Sequence, residues 1–145
     1  MKRILLATSL VLFGLATANA QPCEDGTRWA PSVRSWVEIE VKEPLPGGAM
    51  LGNSWVEKYV HRMGDAMAVA LLHAYSDEEL LQTDRLIRIL PYVEEAFRYR
   101  RFITCKENRR PRVTLLLLRS LQARTSDDTL KRRIGELEEH LTKAN

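Results

Sequence analysis

The chain has 145 residues, 45% of them hydrophobic and 28% charged, which suits one domain with a modest core and is too short for two. It carries 22 Lys and Arg residues against 19 Asp and Glu residues. Two of the basic residues, Lys2 and Arg3, lie in a leader that we predict to be removed, which leaves 20 basic against 19 acidic residues. This balance excludes the large basic excess that is typical of nucleic-acid-binding proteins, so nucleic acid is not predicted as a partner.

Residues 1–20 have the three parts of a secretory signal peptide. A basic start precedes an apolar run at residues 4–16, and Ala18 and Ala20 are the small residues that a signal peptidase recognises. We predict cleavage after Ala20. Because the apolar run is shorter than the roughly 20 residues that a membrane helix needs, we predict an exported protein, periplasmic or secreted, and not a transmembrane one.

Cys23 and Cys105 are the only cysteines in the sequence. An oxidising compartment favours pairing them, and one intramolecular pairing exists. Two isolated cysteines without CxxC spacing argue against a metal site or a reactive thiol. The sequence therefore predicts a disulfide between Cys23 and Cys105 that ties the N-terminal segment to a loop after the middle helices.

The segment that follows the leader reads as mostly irregular. Residues 36–41, WVEIEV, alternate apolar and acidic side chains, which predicts a short strand. The spacing of Val33, Trp36 and Val37 is equally consistent with a short helix, so both interpretations stay open. Residues 42–53, KEPLPGGAMLGN, have the composition of a linker. The predicted organisation is a signal peptide at 1–20, an irregular segment and linker at 21–53, and a helical domain at 54–145.

Capping boxes mark the first helix starts of that domain. Ser54 with Glu57, and Ser76 with Glu79, have the spacing in which each side chain bonds the other's backbone N–H. The helix that begins at Ser54 is apolar on several sides in its second half, which predicts a central position.

The next apolar stripe runs from Leu80 to Phe97 and contains Pro91. A proline inside a helix bends its axis and costs about 3 kcal/mol, so we predict a kinked helix or two short ones, with Thr83 or Asp84 capping the second.

Two further helices are predicted in the C-terminal part. Pro111 suits a helix start, and residues 113–121, VTLLLLRSL, are apolar nearly all round, which predicts a buried helix. Ser126 is the predicted cap of the last helix, with Asp127 and Asp128 in its first turn. A narrow apolar seam then follows at four positions: Leu130, Ile134, Leu137 and Leu141.

These elements predict an all-α protein of four to five antiparallel helices, stacked as two hairpins at residues 54–99 and 111–143. In this pattern the chain resembles HEAT-type helical-hairpin proteins. The segments LIRILPYVEEAF and RRPRVTLLLLRSL also resemble parts of exported bacterial proteins of unassigned function. Neither resemblance implies a catalytic role for any residue.

Few residues suggest catalysis, and the sequence predicts no cofactor and no metal. The motifs GxSxG, SxxK and HExxH are missing from the sequence. His140 follows Glu136 by one helical turn, which indicates a solvated pair. The carboxylates of Glu38 and Glu40, beside Trp36 as a sugar platform, are the one hint of a glycoside hydrolase.

The basic stretch RYRRFITCKENRRPR, residues 98–112, is the strongest candidate for a binding site. Arginine side chains bind phosphate and carboxylate through two parallel hydrogen bonds. The alternative is a polar connection whose arginines favour a helix C-terminus or pair with Glu94, Glu95 or Glu136. The candidate anion- or partner-binding residues are Arg98, Arg100, Arg101, Arg109, Arg110 and Arg112.

The predicted function is that of an exported, non-enzymatic helical domain that binds an unknown protein or an anionic envelope component. Binding would use the basic stretch or the groove between the hairpins. Two alternatives remain open, a small cell-envelope hydrolase acting on glycans and a periplasmic immunity-type protein.

Overall fold

The computed structural model describes Cys23, residues 26–42 and residues 63–144, without the side chains of residues 39–42 and 83. Within these residues it has six α-helices and no strand, which confirms the all-α prediction. The helices are α1 (Ala30–Lys42), α2 (Asp65–His73), α3 (Asp77–Leu80), α4 (Thr83–Glu95), α5 (Arg112–Arg124) and α6 (Asp128–Lys143). Three 3₁₀ helices accompany them at Gly26–Trp29, Arg100–Phe102 and Lys106–Arg109. No helix in the described ranges is both long and apolar enough to cross a membrane.

Three predictions fall on other parts of the chain. The signal peptide, the capping box of Ser54 and Glu57, and the linker at residues 43–53 lie outside the described residues. The stacking of two hairpins stays a prediction as well, because the first of them begins at residue 54.

Residues 36–41 belong to helix α1, so the strand interpretation is wrong and the helical one is correct. Val33, Trp36 and Val37 are buried on one face of α1, and that face packs against α2. A helix can bury these side chains on a neighbouring helix, whereas a lone strand would leave its backbone donors and acceptors without a partner strand. Part of the segment predicted to be irregular is therefore ordered helix.

Helix α2 is the centre of the described fold, as its apolar composition predicted. All residues from Asp65 to Leu72 are buried, and α2 packs against α1, α4, α5 and the 3₁₀ helix at Gly26–Trp29. Gly64 precedes α2 with a positive φ of 51°. A Cβ atom there would overlap the backbone oxygen of Asn108, so glycine is required both for its conformation and for this close approach.

The capping box of Ser76 and Glu79 is confirmed at the start of α3. Glu79 N donates to Ser76 Oγ at 3.3 Å, and Ser76 N donates to the Glu79 carboxylate at 2.9 Å. The helical stripe is interrupted at residues 81–82, and α4 then continues through Pro91 as one helix. Gln82, rather than Thr83 or Asp84, precedes the first turn of α4 and makes no side-chain cap.

Helix α5 differs from its prediction as a buried helix. Only Thr114, Leu118 and Leu121 are buried on it, while Val113 and Leu116 expose 45% and 65% of their surface. The reason is position: α5 is an outer helix that packs with one face on α2 and α6, so its apolar run exceeds the surface that its neighbours can cover.

Helix α6 buries the predicted seam of four apolar residues. Its cap is Asp127, whose Oδ1 accepts from Leu130 N at 3.0 Å, and the prediction of Ser126 is wrong by one residue. Thr125 Oγ1 in turn accepts from Asp127 N at 3.2 Å, which positions that cap. Asp128 lies in the first turn, where the positive end of the helix dipole favours a carboxylate.

Contacts between side chains of neighbouring helices show the relative directions of α4, α5 and α6. Arg119 pairs with Glu138 at 3.4 Å and Gln122 donates to the Lys131 carbonyl at 3.0 Å, so α5 and α6 run antiparallel. Glu94 pairs with His140 at 3.1 Å near the C-terminal ends of α4 and α6, which run in the same direction. The C-terminal ends of α4 and α6 and the N-terminal end of α5 therefore meet at one end of the molecule.

A charged cluster around Glu79 joins α1 to α3 and α4. Arg34 donates to both carboxylate oxygens of Glu79, at 3.3 and 3.1 Å, and Arg85 donates to one of them at 3.2 Å. Both guanidinium groups lie 4.8 Å from the centroid of the Tyr75 ring. The hydrogen bond from Ser76 N, followed by that from Arg34, holds the pKa of Glu79 below its ordinary value of 4.5.

We expect the Glu79→Gln variant to be less stable than the parent near pH 7, with a smaller difference near pH 3. The pKa of Glu79 is lower in the folded state than in the unfolded state. The ionised carboxylate therefore stabilises the fold at pH values above the ordinary pKa of 4.5. That contribution is lost as the pH falls through the folded-state pKa. Urea unfolding of both proteins at the two pH values measures it.

The matched control is Glu107→Gln, which changes an exposed carboxylate with no ion pair to another described residue. It should alter the free energy of unfolding by less than about 0.5 kcal/mol near pH 7. An equal loss for Glu79→Gln at both pH values would contradict the role of the ionised carboxylate.

Candidate functional site

The candidate site is the segment of residues 98–116, which we call the basic end. It connects the end of α4 to the first turns of α5, where the C-terminal end of α6 also lies. Seven of its residues are Lys or Arg, and Glu107 is its single acidic residue. The six arginines predicted from the sequence all lie in it, and the structure divides them into two groups.

Arg100 and Arg109 anchor the basic end to the rest of the fold. Arg100 donates to the Leu141 carbonyl at 2.9 Å, its guanidinium lies 5.2 Å from the Phe97 ring centroid, and burial lowers its pKa. Arg109 Nε donates to the carbonyl of Ile103 at 2.9 Å, and Ile103 itself is completely buried. For these two arginines the interpretation as a structural connection is the better one.

The predicted pairing of Cys23 with Cys105 anchors the same segment. The two residues lie at disulfide distance, with Cα atoms 5.7 Å apart across a sequence separation of 82 residues. Cys105 directly precedes the 3₁₀ helix at Lys106–Arg109, which packs against α2. The backbone of the basic end is therefore fixed at several points, although much of its side-chain surface is exposed.

Arg98 and Arg101 stack on exposed aromatic rings. The Arg98 guanidinium lies 5.6 Å from the Tyr99 ring centroid, and that of Arg101 lies 4.7 Å from the centroid of Phe102. Tyr99 is 40% exposed and Phe102 is 62% exposed. Arg98 also pairs with Glu95 at 3.1 Å, one of the pairings that the sequence suggested. A guanidinium group that stacks on a ring face is held in place by the attraction between the cation and the ring.

The other exposed cations of the basic end are Arg110, Arg112 and Lys106. Neither they nor Arg101 form an ion pair with another residue in the described part of the chain. This contrasts with Arg119 and the arginines of α6, which pair with glutamates. The basic end therefore holds four exposed cations that form no ion pair within the part of the chain that the structure describes.

Exposed apolar surface coincides with these cations. The large hydrophobic side chains that are exposed in the described residues are Tyr99, Phe102, Val113 and Leu116, and all four lie in the basic end. Sequence reasoning missed Val113 and Leu116, because it placed α5 in the core. The sequence did contain a signal that this segment forms one surface. Residues 108–126 include apolar and basic residues but no acidic residue.

A buried carboxylate holds α5 in the position that exposes this surface. Asp65 is 6% exposed at the start of α2, and its two oxygens accept hydrogen bonds from Val113 N and Thr114 N, each at 3.0 Å. Thr114 Oγ1 donates to the same carboxylate at 2.6 Å. Asp65 thus caps the N-terminus of a helix that lies 48 residues further along the chain, where a negative charge is favoured.

A second surface is the groove between α4 and α6. It has a volume of about 280 Å³, an apolar floor that includes Leu90, Pro91 and Leu137, and charged residues at its edge. His140 closes part of it by pairing with Glu94, and not with Glu136 as the sequence suggested. The polar residues at its edge contact one another, Glu94 with His140 and Arg133 with Glu136, so this groove does not present the cluster of cations that the basic end does.

Two of the residues suggested for glycoside hydrolysis are engaged within the fold. Trp36 is buried and packs edge-on against Tyr92, with centroids 5.1 Å apart, so it is no sugar platform. Glu38 pairs with Arg34 at 3.4 Å on helix α1. The hypothesis assumed a strand at residues 36–41, and these residues are helical. Within the described ranges, no group of three His, Cys, Asp or Glu residues could hold a metal ion.

Comparisons with protein-family models, with curated proteins and with solved structures find no match for this chain.

Proposed function

We propose that the protein is an exported, non-enzymatic helical domain that binds another macromolecule or an anionic component of the cell envelope through the basic end. The observation that carries the proposal is that four exposed apolar side chains share one segment with four cations that form no ion pair with another described residue. Interfaces are enriched in aromatic residues and arginine, and exposed apolar patches on soluble proteins mark interaction sites. The resemblance to HEAT-type proteins belongs to the same proposal, because helical repeats act by presenting a surface.

Export is supported by the predicted leader and by the cysteine pair. A disulfide persists in oxidising compartments and is rare in the cytosol. An anionic partner is consistent with that location, because the cell envelope presents phosphate groups and acidic proteins to an exported chain.

The test of this function is a pair of charge reversals. We expect the Arg101→Glu/Arg110→Glu variant to lose capture of envelope material from a detergent-solubilised fraction, with no change in melting temperature. Neither residue anchors the fold, since Arg101 contacts the exposed Phe102 ring and Arg110 is exposed. The reversals replace attraction to an anionic partner by repulsion, which costs several kcal/mol of binding free energy.

The matched control is Arg132→Glu/Arg133→Glu, which makes the same change in net charge on α6. Those arginines pair weakly with Glu136, at 3.9 and 3.8 Å, toward the opposite end of the molecule. The control should retain capture. Equal capture by both variants, or a clear fall in melting temperature for Arg101→Glu/Arg110→Glu, would contradict the proposal.

A further inference from the structure

We infer that the partner of the basic end is the surface of a bilayer that contains anionic phospholipid, an inference that rests on the proposed binding function. The first argument is the sign of the charges. Residues 108–126 contain no acidic residue, and the exposed surface of the basic end is positive apart from Glu107. An anionic lipid surface attracts such a patch of cations, with about 1 kcal/mol for each Lys or Arg near the surface.

The second argument is the form of the apolar surface. The exposed rings of Phe102 and Tyr99 lie 6.4 Å apart, each with an arginine stacked on it, and Val113 and Leu116 project from the first turns of α5. Aromatic side chains favour the boundary between lipid headgroups and acyl chains, where a ring enters the apolar layer and a cation remains at phosphate level. A ring with a guanidinium on its face satisfies both requirements at one position.

The third argument comes from helix α5 itself. On a helical wheel the exposed Val113 and Leu116 lie on the face of α5 that is turned away from the fold, and Arg112 and Arg119 lie beside them on one side. Arg119 is paired with Glu138, whereas Arg112 is exposed. A helix face that combines exposed apolar and basic side chains is suited to binding in the plane of an anionic membrane surface. The inner face of α5 carries the buried Thr114, Leu118 and Leu121, so α5 can meet a bilayer without leaving the fold.

The experiment is co-sedimentation of the oxidised protein with vesicles. One set of vesicles contains equal parts of phosphatidylglycerol and phosphatidylcholine, and the other contains phosphatidylcholine alone. We expect binding to the anionic vesicles that weakens as salt is added. Each Lys or Arg contributes roughly fivefold to partitioning onto such a surface, so Arg101→Glu/Arg110→Glu should reduce binding by about 25-fold or more. The control Arg132→Glu/Arg133→Glu should bind within about threefold of the parent.

Replacement of Phe102 tests ring insertion separately from charge. Phe102→Ala should reduce partitioning by about tenfold, since the ring is exposed in the free protein and would enter the apolar layer on binding. Phe102→Trp should bind as well as the parent. The sequence already has three Trp residues, so the emission of the added indole is the difference between variant and parent, and it should shift to shorter wavelength with anionic vesicles alone. An unshifted emission would overturn the insertion of this ring.

The vesicle result and the capture result separate the inference from the function it rests on. Equal binding to both kinds of vesicle, or binding to neither, overturns the lipid surface as partner. If capture of envelope material still depends on Arg101 and Arg110 in that case, the proposed function stands and its partner is an anionic envelope component other than a phospholipid bilayer. If capture is also insensitive to the reversals, the proposed function falls with the inference.

Discussion

The Asp65→Ala variant is expected to lose about 3 kcal/mol of unfolding free energy, because its carboxylate accepts three hydrogen bonds in a buried position. Truncation leaves two backbone N–H groups of α5 and the Thr114 hydroxyl without an acceptor. Thr114 is completely buried, so water cannot replace the lost acceptor without rearrangement of the helix start. Chemical unfolding measured by circular dichroism gives the difference between variant and parent.

Two other acidic residues at a helix start provide graded controls. Asp127→Ala removes an ordinary cap, a single hydrogen bond to Leu130 N, and should cost about 1 kcal/mol. Asp128→Ala removes only an exposed first-turn charge and should cost less than about 0.5 kcal/mol. A loss for Asp65→Ala no larger than that for Asp127→Ala would show that the buried carboxylate is not what holds α5.

A double-mutant cycle isolates the contact across the fold. Thr114→Val removes the hydroxyl that donates to Asp65 and should cost about 1 kcal/mol. The double variant should be more stable than the sum of the single losses predicts, because each single change leaves part of the same hydrogen-bond group unsatisfied. Strict additivity would mean that the two side chains act independently.

These contacts also show where sequence reasoning succeeds and where it fails. The capping box of Ser76 and Glu79 was predictable because its partners are three residues apart, and its geometry follows from helix geometry alone. The cap that Asp65 provides to α5 was not predictable, because it joins residues 48 positions apart and depends on how α2 and α5 pack. Contacts between residues a few positions apart can be predicted from the sequence. Contacts between distant segments become visible only when the packing of the helices is known.

The same distinction explains two of the incorrect predictions. WVEIEV alternates over only six residues, too few to separate a strand from a helix whose buried positions are three and four apart. The run VTLLLLRSL predicted a buried helix because its composition shows how apolar the helix is. Composition does not show how much of the helix the neighbouring helices can cover. For the candidate site, the sequence located the arginines, but only the structure separated the anchoring Arg100 and Arg109 from the exposed Arg101 and Arg110.

The described part of the chain has one further element whose removal should have a large effect, the pairing of Cys23 with Cys105. It joins the two 3₁₀ helices that pack against the start of α2. At Gly26 a Cβ atom would overlap the Ala66 carbonyl, and at Gly64 it would overlap that of Asn108, so both segments approach α2 at backbone distance. The crosslink therefore joins two segments that lie close to the backbone at the start of α2. Both close approaches depend on a glycine.

We expect reduction, or the Cys23→Ser/Cys105→Ser double variant, to lower the free energy of unfolding by up to about 4–5 kcal/mol. A crosslink across 82 residues removes that much chain entropy from the unfolded state. Thermal unfolding with and without reductant measures the effect, and the double variant is the control in which reductant should change nothing further. Alkylation of the native protein should label no thiol before reduction and two after it. Labelling of both thiols without reductant would contradict the pairing, and with it the strongest structural support for an oxidising compartment.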